Sequence, residues 1–307
     1  MSILPVLVLV VAMQDPAVAQ DDTRQTSRFQ RQEFNQTVTV PKGTRVDLRD
    51  CIGDVVVKTW NREAVQVRAS GSRRTSATDI KAVLADKVLT ITQGTAPSQR
   101  DTDMLTVDFE LLVPAWVELQ IEGRECGVEV DGVAGNITVK NSDGDISLRG
   151  VGGTVEASSI DGSIEINGGK GRIRASSSDG DVTITNASGD IQAESIDGDV
   201  ILQDVQPLSV DVSTVDGDVM FSGPFQATSK YRFSSHDGDI MLNIPENSSA
   251  TFTIRRFQGE LHTTLPLKAT GDVRSGRRVT YTLGGGVTQV EIETFDGDVY
   301  IRKPDGK

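Results

Sequence analysis

The sequence has few of the residues on which catalysis and metal binding depend. Its 307 residues include two histidines, His236 and His262, and two cysteines, Cys51 and Cys126. Two separated histidines offer little material for a Ser-His-Asp or Cys-His catalytic arrangement. Two cysteines exclude a disulfide-dense scaffold and a zinc site built from cysteine alone. We therefore expect a protein that is not an enzyme and that has no catalytic, metal-binding or cofactor-binding residues.

Positive charge is scarce as well. The chain has 31 Lys and Arg residues against 44 Asp and Glu residues, which gives a formal net charge of −13. Nucleic-acid-binding proteins normally show a basic stripe or patch. The acidic balance therefore argues against nucleic acid as a partner.

The most apolar stretch lies within the first twenty residues. Residues 3–12 read Ile-Leu-Pro-Val-Leu-Val-Leu-Val-Val-Ala, which is too short to span a bilayer, since a spanning helix takes about 20 residues. Ala17-Val18-Ala19 then has the small-x-small pattern of a signal-peptidase site. We predict a secretory signal at 1–19, a disordered polar leader at 20–33 and no transmembrane segment in the mature chain. No Lys or Arg precedes the apolar run, so a start codon misplaced downstream or a buried strand is the alternative. The expected location is the periplasm, the cell surface or the surrounding medium.

Glycine recurs at a constant spacing of nine residues in the middle of the chain. The series consists of Gly135, Gly144, Gly153, Gly162, Gly171, Gly180, Gly189 and Gly198. The third and fifth positions of all eight blocks are apolar, from Ile137 and Val139 to Val200 and Leu202, although only 37% of the chain is apolar. Apolar residues two apart and rich in Ile and Val are typical of strands. Each block therefore predicts one short strand and a turn.

Alternate blocks differ, so the full repeat has 18 residues. Every second block carries Asn, Ser or Thr, then any residue, then Asp-Gly, then Asp or Ser. The Asp and Gly residues of this motif are Asp143, Gly144, Asp145, Asp161, Gly162, Asp179, Gly180, Asp181, Asp197, Gly198, Asp199, Asp216, Gly217, Asp218, Asp237, Gly238, Asp239, Asp296, Gly297 and Asp298. Gly259 is interpreted as a decayed copy, and the 38 residues from it to Gly297 leave room for two coils of about 19 residues.

A constant period predicts an all-β solenoid of the parallel β-helix or β-roll kind. Each coil would have about 18 residues and two short strands, and coils would stack on one another. The alternative is an antiparallel β meander of hairpins with Asp-Gly turns. Stacking requires every coil to match its neighbour, whereas hairpins vary in length, so the fixed period favours the solenoid. Only residues 77–88 have helical spacing, and they could equally form a loop before a strand at 88–91.

The changes in regularity predict the domain organisation. We expect a single β-repeat domain at 34–303, followed by a tail at 304–307. Its first part, 34–122, is expected to form irregular coils and a cap that covers exposed strand edges. Regular repeats follow at 123–243, and looser repeats at 244–303.

The aspartates of the motif have two interpretations. Stacked coils would place equivalent carboxylates about 4.8 Å apart, and calcium binds clusters of such oxygens. Turn chemistry is the other interpretation, in which Asp caps the turn, Gly takes a positive φ and the Ser or Thr makes a local hydrogen bond. Calcium is therefore a possible ligand, although no specific site can be assigned.

Cys51 and Cys126 come just before similar strand starts, at 52–55 and 127–130. Export would permit a disulfide between them. Two buried free thiols are the alternative, because the sequence does not give the distance that a bond requires.

Three sets of residues resemble the sequence motifs of a known family. They are the Ser-x-Asp-Gly-Asp-Val units, the turn Val40–Gly43 followed by Gly53–Trp60, and Phe109–Pro114 leading into the repeats. Over about residues 36–302 the chain resembles the "putative-adhesin" domain family of bacterial exported proteins. This resemblance implies a repetitive β fold, a surface or envelope role and no assigned enzymatic activity.

We therefore expect a non-enzymatic, adhesin-like protein of the cell envelope or surface. Its repetitive β surface would bind an unidentified envelope component, either a protein or a glycan, or the domain would act as a spacer. A polysaccharide-active β-helix enzyme is one alternative, and it would show a groove with clustered, non-repeating Asp, Arg and Lys. A calcium-stabilised structural repeat protein is the other.

Overall fold

The computed structural model describes residues 33–71, 80–93, 106–270 and 278–304. The predicted signal peptide, nearly all of the predicted leader and most of the predicted tail lie outside the described residues. The described residues form 27 β-strands and no helix. They belong to one compact unit, Arg31–Lys307.

The strands fall into three groups along the chain. The first group is β1 (Glu33–Thr39), β2 (Arg45–Ile52), β3 (Val55–Trp60), β4 (Ala64–Gly71), β5 (Ile80–Ala85), β6 (Val88–Gln93), β7 (Val107–Pro114), β8 (Glu118–Glu125) and β9 (Val128–Asp131). The second is β10 (Ile137–Lys140), β11 (Ile146–Arg149), β12 (Val155–Ser158), β13 (Ile164–Asn167), β14 (Ile173–Ser176), β15 (Val182–Thr185), β16 (Ser188–Glu194), β17 (Val200–Gln203), β18 (Gln206–Asp216), β19 (Val219–Ser222), β20 (Lys230–Asp237) and β21 (Ile240–Asn243). The third is β22 (Ala250–Arg256), β23 (Leu261–Thr263), β24 (Lys268–Thr270), β25 (Arg278–Leu283), β26 (Thr288–Asp296) and β27 (Val299–Arg302).

The strands form two sheets. Sheet A has 13 strands in the order β1-β4-β7-β3-β9-β11-β13-β15-β17-β19-β21-β27-β23. Sheet B has 14 strands in the order β24-β25-β22-β26-β20-β18-β16-β14-β12-β10-β8-β2-β6-β5. From β8 to β21, consecutive strands alternate between the sheets, and each pairs in parallel with the strand two elements further on. Ile146 thus lies opposite Ile164, 18 residues later. The solenoid prediction is confirmed, and the meander alternative is wrong for this region.

The core lies between the two sheets. The sixteen apolar residues predicted from the nine-residue period are all at most 3% exposed. They belong to one apolar cluster that continues from Val40 to Ile301. Burying a Val, Ile or Leu side chain contributes about 1.5–3 kcal/mol. The repeated strand pattern therefore stabilises each coil through its contacts with the next.

At both ends of the solenoid the coils stack out of chain order. The coil made by β2 and β3 lies between the β6/β7 coil and the β8/β9 coil. The final coil, β26 and β27, lies between the β20/β21 coil and the β22/β23 coil. The two coils of about 19 residues for which the stretch from Gly259 to Gly297 leaves room do not form. Much of that stretch forms β24 and β25, which extend sheet B in antiparallel fashion.

Residues 77–88 are not helical where the structure describes them. Ile80–Ala85 forms β5, which pairs antiparallel with β6. The two turn residues, Asp86 and Lys87, have φ of 46° and 64°, as a tight two-residue hairpin turn requires. Ile80 and Ala82 are buried while Val83 is 58% exposed, so burial alternates with a period of two. The exposed edge of β6 offers hydrogen-bond partners, and pairing with it overrides the helical spacing.

Candidate functional site

The Asp-Gly motifs come together at one edge of the solenoid, where the chain passes from sheet B to sheet A. We call this the Asp-Gly edge. It comprises residues 141–145, 159–163, 177–181, 195–199, 214–218, 235–239 and 294–298, together with the related segment 256–260. The segment 256–260 belongs here because Arg256 lies opposite Thr294 in the β22–β26 pairing. Each motif residue therefore forms a row with its equivalents in neighbouring coils.

The first residue of the motif is buried beneath the edge. Ser177 Oγ donates to Gly162 O at 2.9 Å, and Ser195 Oγ donates to Gly180 O at 2.9 Å. The same bond recurs in other coils, at Ser159, Thr214 and Ser235. Buried polar groups need such partners. The predicted local hydrogen bond is thus made to the neighbouring coil.

The motif glycines are required by close approach between coils. A Cβ on Gly198 would lie 2.5 Å from Gly180 O, and a Cβ on Gly217 would lie 2.3 Å from Gly198 O. The expected positive φ occurs at Gly144 and Gly238. It does not occur at the other motif glycines, Gly162, Gly180, Gly198, Gly217 and Gly297. The turn-based explanation of these five glycines is therefore wrong, because contact with the preceding coil leaves no room for a side chain unless the coils move apart.

The second aspartate of the motif binds the backbone of the next coil. Asp199 Oδ1 accepts a hydrogen bond from the N–H of Asp218 at 2.8 Å. Equivalent bonds join Asp145 to Ser163, Asp181 to Asp199, Asp218 to Asp239, Asp239 to Asp298 and Asp298 to Glu260. Charged acceptors make stronger hydrogen bonds than neutral ones. This ladder gives the second aspartate a structural role as a link between coils. The described residues contain no group of three His, Cys, Asp or Glu placed to hold a metal.

The variable residue between the Ser or Thr and the first Asp points out of the edge. Five of the eight large hydrophobic side chains exposed among the described residues occupy this one position. They are Ile160 (55% exposed), Ile196 (50%), Val215 (42%), Phe295 (43%) and Phe257 (54%). Single exposed apolar residues are normal on a protein surface, but an aligned row of them is typical of a binding surface.

The row ends in an aromatic stack. The rings of His236 and Phe295 have centroids 4.8 Å apart with planes at 17°, and those of Phe295 and Phe257 are also 4.8 Å apart with planes at 5°. This distance equals the spacing of neighbouring strands, about 4.8 Å. His236 is exposed at the variable position of the motif. Sequence reasoning missed the stack, because Phe257 and Phe295 become neighbours only when the last coil inserts out of order.

A cavity and a second pair of stacked rings adjoin the aromatic end of the row. A shallow cavity of about 420 Å³ lies beside the stack and includes Arg255, Arg256 and Glu293 in its lining. On the adjoining face of sheet A, the rings of His262 and Tyr300 stack with centroids 4.9 Å apart.

Asp298 contacts both rings of the His262–Tyr300 pair. The N–H of Glu260 and the side chains of His262 and Tyr300 hydrogen-bond to its carboxylate and hold the pKa of Asp298 below its usual value. Desolvation and the bond to Asp298 raise the pKa of Tyr300.

Sheet B carries a second, polar groove of about 730 Å³. Its lining includes Arg174, Asp190, Asp211, Arg232 and Glu291. Arg232 pairs with Glu291 at 3.2 Å, and Asp190 accepts a hydrogen bond from Ser209 at 2.8 Å. This groove has the clustered, non-repeating charged residues that the polysaccharide-enzyme alternative predicts.

Cys51 and Cys126 lie at the start of the same edge. Both side chains are buried, and their Sγ atoms are 2.8 Å apart. The structure thus brings together the two cysteines that the sequence suggested as partners.

These features define an all-β repeat protein whose distinctive surface is the Asp-Gly edge with its exposed apolar row. The Toastrack DUF4097 family model matches residues 44–302, and the chain belongs to this family. The resemblance inferred from the repeats is confirmed. No curated protein matches the chain. None of the described residues belongs to a helix long and apolar enough to cross a membrane.

Solved structures of bacterial proteins are similar to the chain at low identity. A "putative adhesin" from Bacteroides fragilis is 11% identical, with a TM-score of 0.47, and the match covers 88% of this chain and 96% of that one. A "putative adhesin" from Parabacteroides distasonis is 11% identical, with a TM-score of 0.47 and coverages of 89% and 98%. A "putative cell adhesion protein" from Clostridium sporogenes is 12% identical, with a TM-score of 0.32 and coverages of 89% and 100%.

Proposed function

We propose that the protein is a non-enzymatic, exported binding module of the bacterial cell envelope or surface. The β-repeat domain at 34–303 would present the Asp-Gly edge to an envelope component, a protein or a glycan. The observation that carries this proposal is the exposed apolar row that ends at His236, Phe295 and Phe257. Export is supported by the predicted secretory signal at 1–19, which has the apolar run and the small-x-small site of such signals.

Neither packing nor the repeat explains the apolar character of this row. The same position is serine at Ser142 and Ser178, so the coil accepts a polar residue there. Phe257 and Phe295 nevertheless remain 54% and 43% exposed to water. Fully burying a large apolar side chain contributes about 1.5–3 kcal/mol, so covering each of these half-exposed rings would contribute about half of that. A partner that covers the aromatic end would therefore gain free energy that the unbound protein lacks.

Envelope binding by purified protein tests the proposal. The protein is mixed with cell envelopes from the bacterium that produces it, and the bound fraction is measured against protein concentration. We expect saturable binding that the double variant Phe257→Ser/Phe295→Ser weakens roughly tenfold or more, as for aromatic interface residues generally. Leu208→Ser is the matched control, because Leu208 is 63% exposed but lies outside the Asp-Gly edge.

The outcomes separate the remaining alternatives. Binding that is absent, or equal in wild type and double variant, contradicts the proposal for this surface. Loss of binding in chelator would instead support a calcium-dependent role. Digesting the envelopes with protease or with glycan hydrolases before the assay distinguishes a protein partner from a glycan.

A polysaccharide-active enzyme is the second candidate, favoured by the charged groove on sheet B. Incubation with envelope polysaccharide and measurement of new reducing ends tests it. Chain cleavage that is lost in Asp211→Asn, with folding retained, would support this candidate over the binding module.

A further inference from the structure

We propose that Cys51 and Cys126 form an intramolecular disulfide that holds the β2/β3 coil against the β8/β9 coil. Their Sγ atoms are 2.8 Å apart, well inside the about 3.5–4.0 Å at which non-bonded heavy atoms pack best. A disulfide bond is about 2.05 Å long. Bond formation therefore needs a movement of less than about 1 Å.

The two cysteines replace the usual residues of the motif. Cys51 lies opposite Gly123 in the β2–β8 pairing, at the position that is serine or threonine in most later coils. Cys126 stands where the next coil has Gly144, whose Cβ would lie 2.7 Å from Cys126 O. A Cβ on Gly123 would lie 2.2 Å from Cys126 Sγ. The absence of a side chain at Gly123 thus makes room for the Cys126 side chain beside Cys51.

The surroundings leave each thiol with the other as its main partner. The other sulfur contacts are long, with Cys51 Sγ 3.9 Å from Glu122 O and Cys126 Sγ 3.7 Å from Asn141 Oδ1. Both side chains are at most 2% exposed. The hydrogen bond with Cys126 and burial raise the pKa of the Cys51 thiol. The same hydrogen bond lowers the pKa of the Cys126 thiol and so favours its thiolate, the attacking species. Because both sulfurs are buried once the coil is closed, we expect exchange with an oxidant to occur before the coil closes during folding.

The chemistry requires a disulfide oxidant, either a small molecule or a protein. The thiolate of one cysteine attacks the oxidant, forms a mixed disulfide and releases one oxidant thiol. The second thiolate then attacks the protein sulfur of that mixed disulfide and releases the second oxidant thiol. The protein loses two electrons and two protons, and the oxidant disulfide is reduced to two thiols.

The position of the bond fits the out-of-order stacking. The β2/β3 coil contacts the β8/β9 coil, but β4 to β7 intervene along the chain. A bond between Cys51 and Cys126 closes a loop of about 75 residues, and loops of this length restrict the unfolded chain strongly. It also joins two neighbouring coils that chain connectivity does not hold together.

Refolding of the full chain tests the proposal. The protein is unfolded with denaturant and reductant and then refolded in a mixture of oxidised and reduced glutathione. We expect a monomer with no titratable thiol in denaturant and a mass two hydrogens below that of the reduced chain. Reductant should then lower its Tm by roughly 5 °C or more.

The double variant Cys51→Ser/Cys126→Gly is the control, because it restores residues that later coils use at these positions. Its Tm should not respond to reductant. A refolded wild-type chain that keeps two free thiols, or that forms disulfides only between chains, would overturn the proposal. An equal response to reductant in wild type and variant would overturn it as well. Thiol counting needs only the wild-type chain, so a failure of the variant to fold leaves the test intact.

Discussion

Replacing Gly198 with alanine tests the physical basis of coil stacking. The added Cβ would lie 2.5 Å from Gly180 O and 2.7 Å from Gly180 C. These are backbone atoms, so no side chain can rotate away to relieve the overlap. The two coils would have to separate by several tenths of an ångström at the Asp-Gly edge. The hydrogen bond from Ser195 Oγ to Gly180 O, now 2.9 Å, would be strained by the same shift.

The expected cost follows from these two effects. Overpacking of a close contact typically costs about 1–3 kcal/mol, and a weakened internal hydrogen bond adds about 0.5–1.5 kcal/mol. We therefore expect Gly198→Ala to lower the free energy of unfolding by about 2–4 kcal/mol. In a domain of this size each kcal/mol corresponds to about 2–4 °C in Tm. The Tm should fall by roughly 5–15 °C.

Calorimetry of the purified wild type and variant measures this shift. Gly285→Ala is the matched control, because its Cβ would meet side-chain atoms and no backbone, namely Ser249 Oγ at 3.2 Å and Val287 Cγ2 at 3.9 Å. The control should change the free energy of unfolding by no more than about 0.5 kcal/mol. A Gly198→Ala variant as stable as the wild type would refute the claim that close stacking selects glycine.

Three further substitutions test the Ser–Gly hydrogen bonds between coils, the apolar core and the carboxylate of Asp298. Ser195→Ala removes the donor to Gly180 O and should cost about 1–2 kcal/mol in denaturant unfolding; an unchanged midpoint would contradict the ladder's structural role. Ile184→Ala opens a cavity at a fully buried site and should cost about 2–5 kcal/mol by the same measurement, whereas the exposed Leu208→Ala should change little. Asp298 has a lowered pKa in the folded protein, so its charged form stabilises the fold above the unfolded-state pKa of about 3.9, and this contribution disappears as pH falls through the lower folded pKa. Asp298→Asn should therefore be less stable than the wild type at neutral pH, with a difference that narrows on acidification; a pH-independent difference would contradict this assignment.

The regular coils could be predicted from the sequence because their determinants are local. Ile146 and Leu148 are two residues apart and equivalent to Ile164 and Ile166 one coil later. Stacked coils must match in length, so the 18-residue period itself indicates which residues pair. The same period identified the Asp-Gly motif, in which His236 occupies the variable position.

The candidate site could be predicted only in part. Its residues at Ile160, Ile196 and Val215 lie in coils that stack in chain order, so their alignment follows from the repeat. The aromatic stack does not follow from it, because the β26/β27 coil inserts ahead of the β22/β23 coil. The available signal in the sequence was that Phe257 and Phe295 both occupy the variable position. If the coils stacked in chain order, these two residues would not lie in neighbouring coils.

The sequence by itself determined the class of fold, the inward residues and the motif that forms the edge. A periodic pattern of apolar side chains and glycines is sufficient for these, since each coil repeats the same local contacts. Only the tertiary structure decided the order of the terminal coils, the pairing of β5 with β6 and the contact of Cys51 with Cys126. Stacking depends on how well two coil surfaces fit, and long connections allow segments that are distant in the chain to become neighbours.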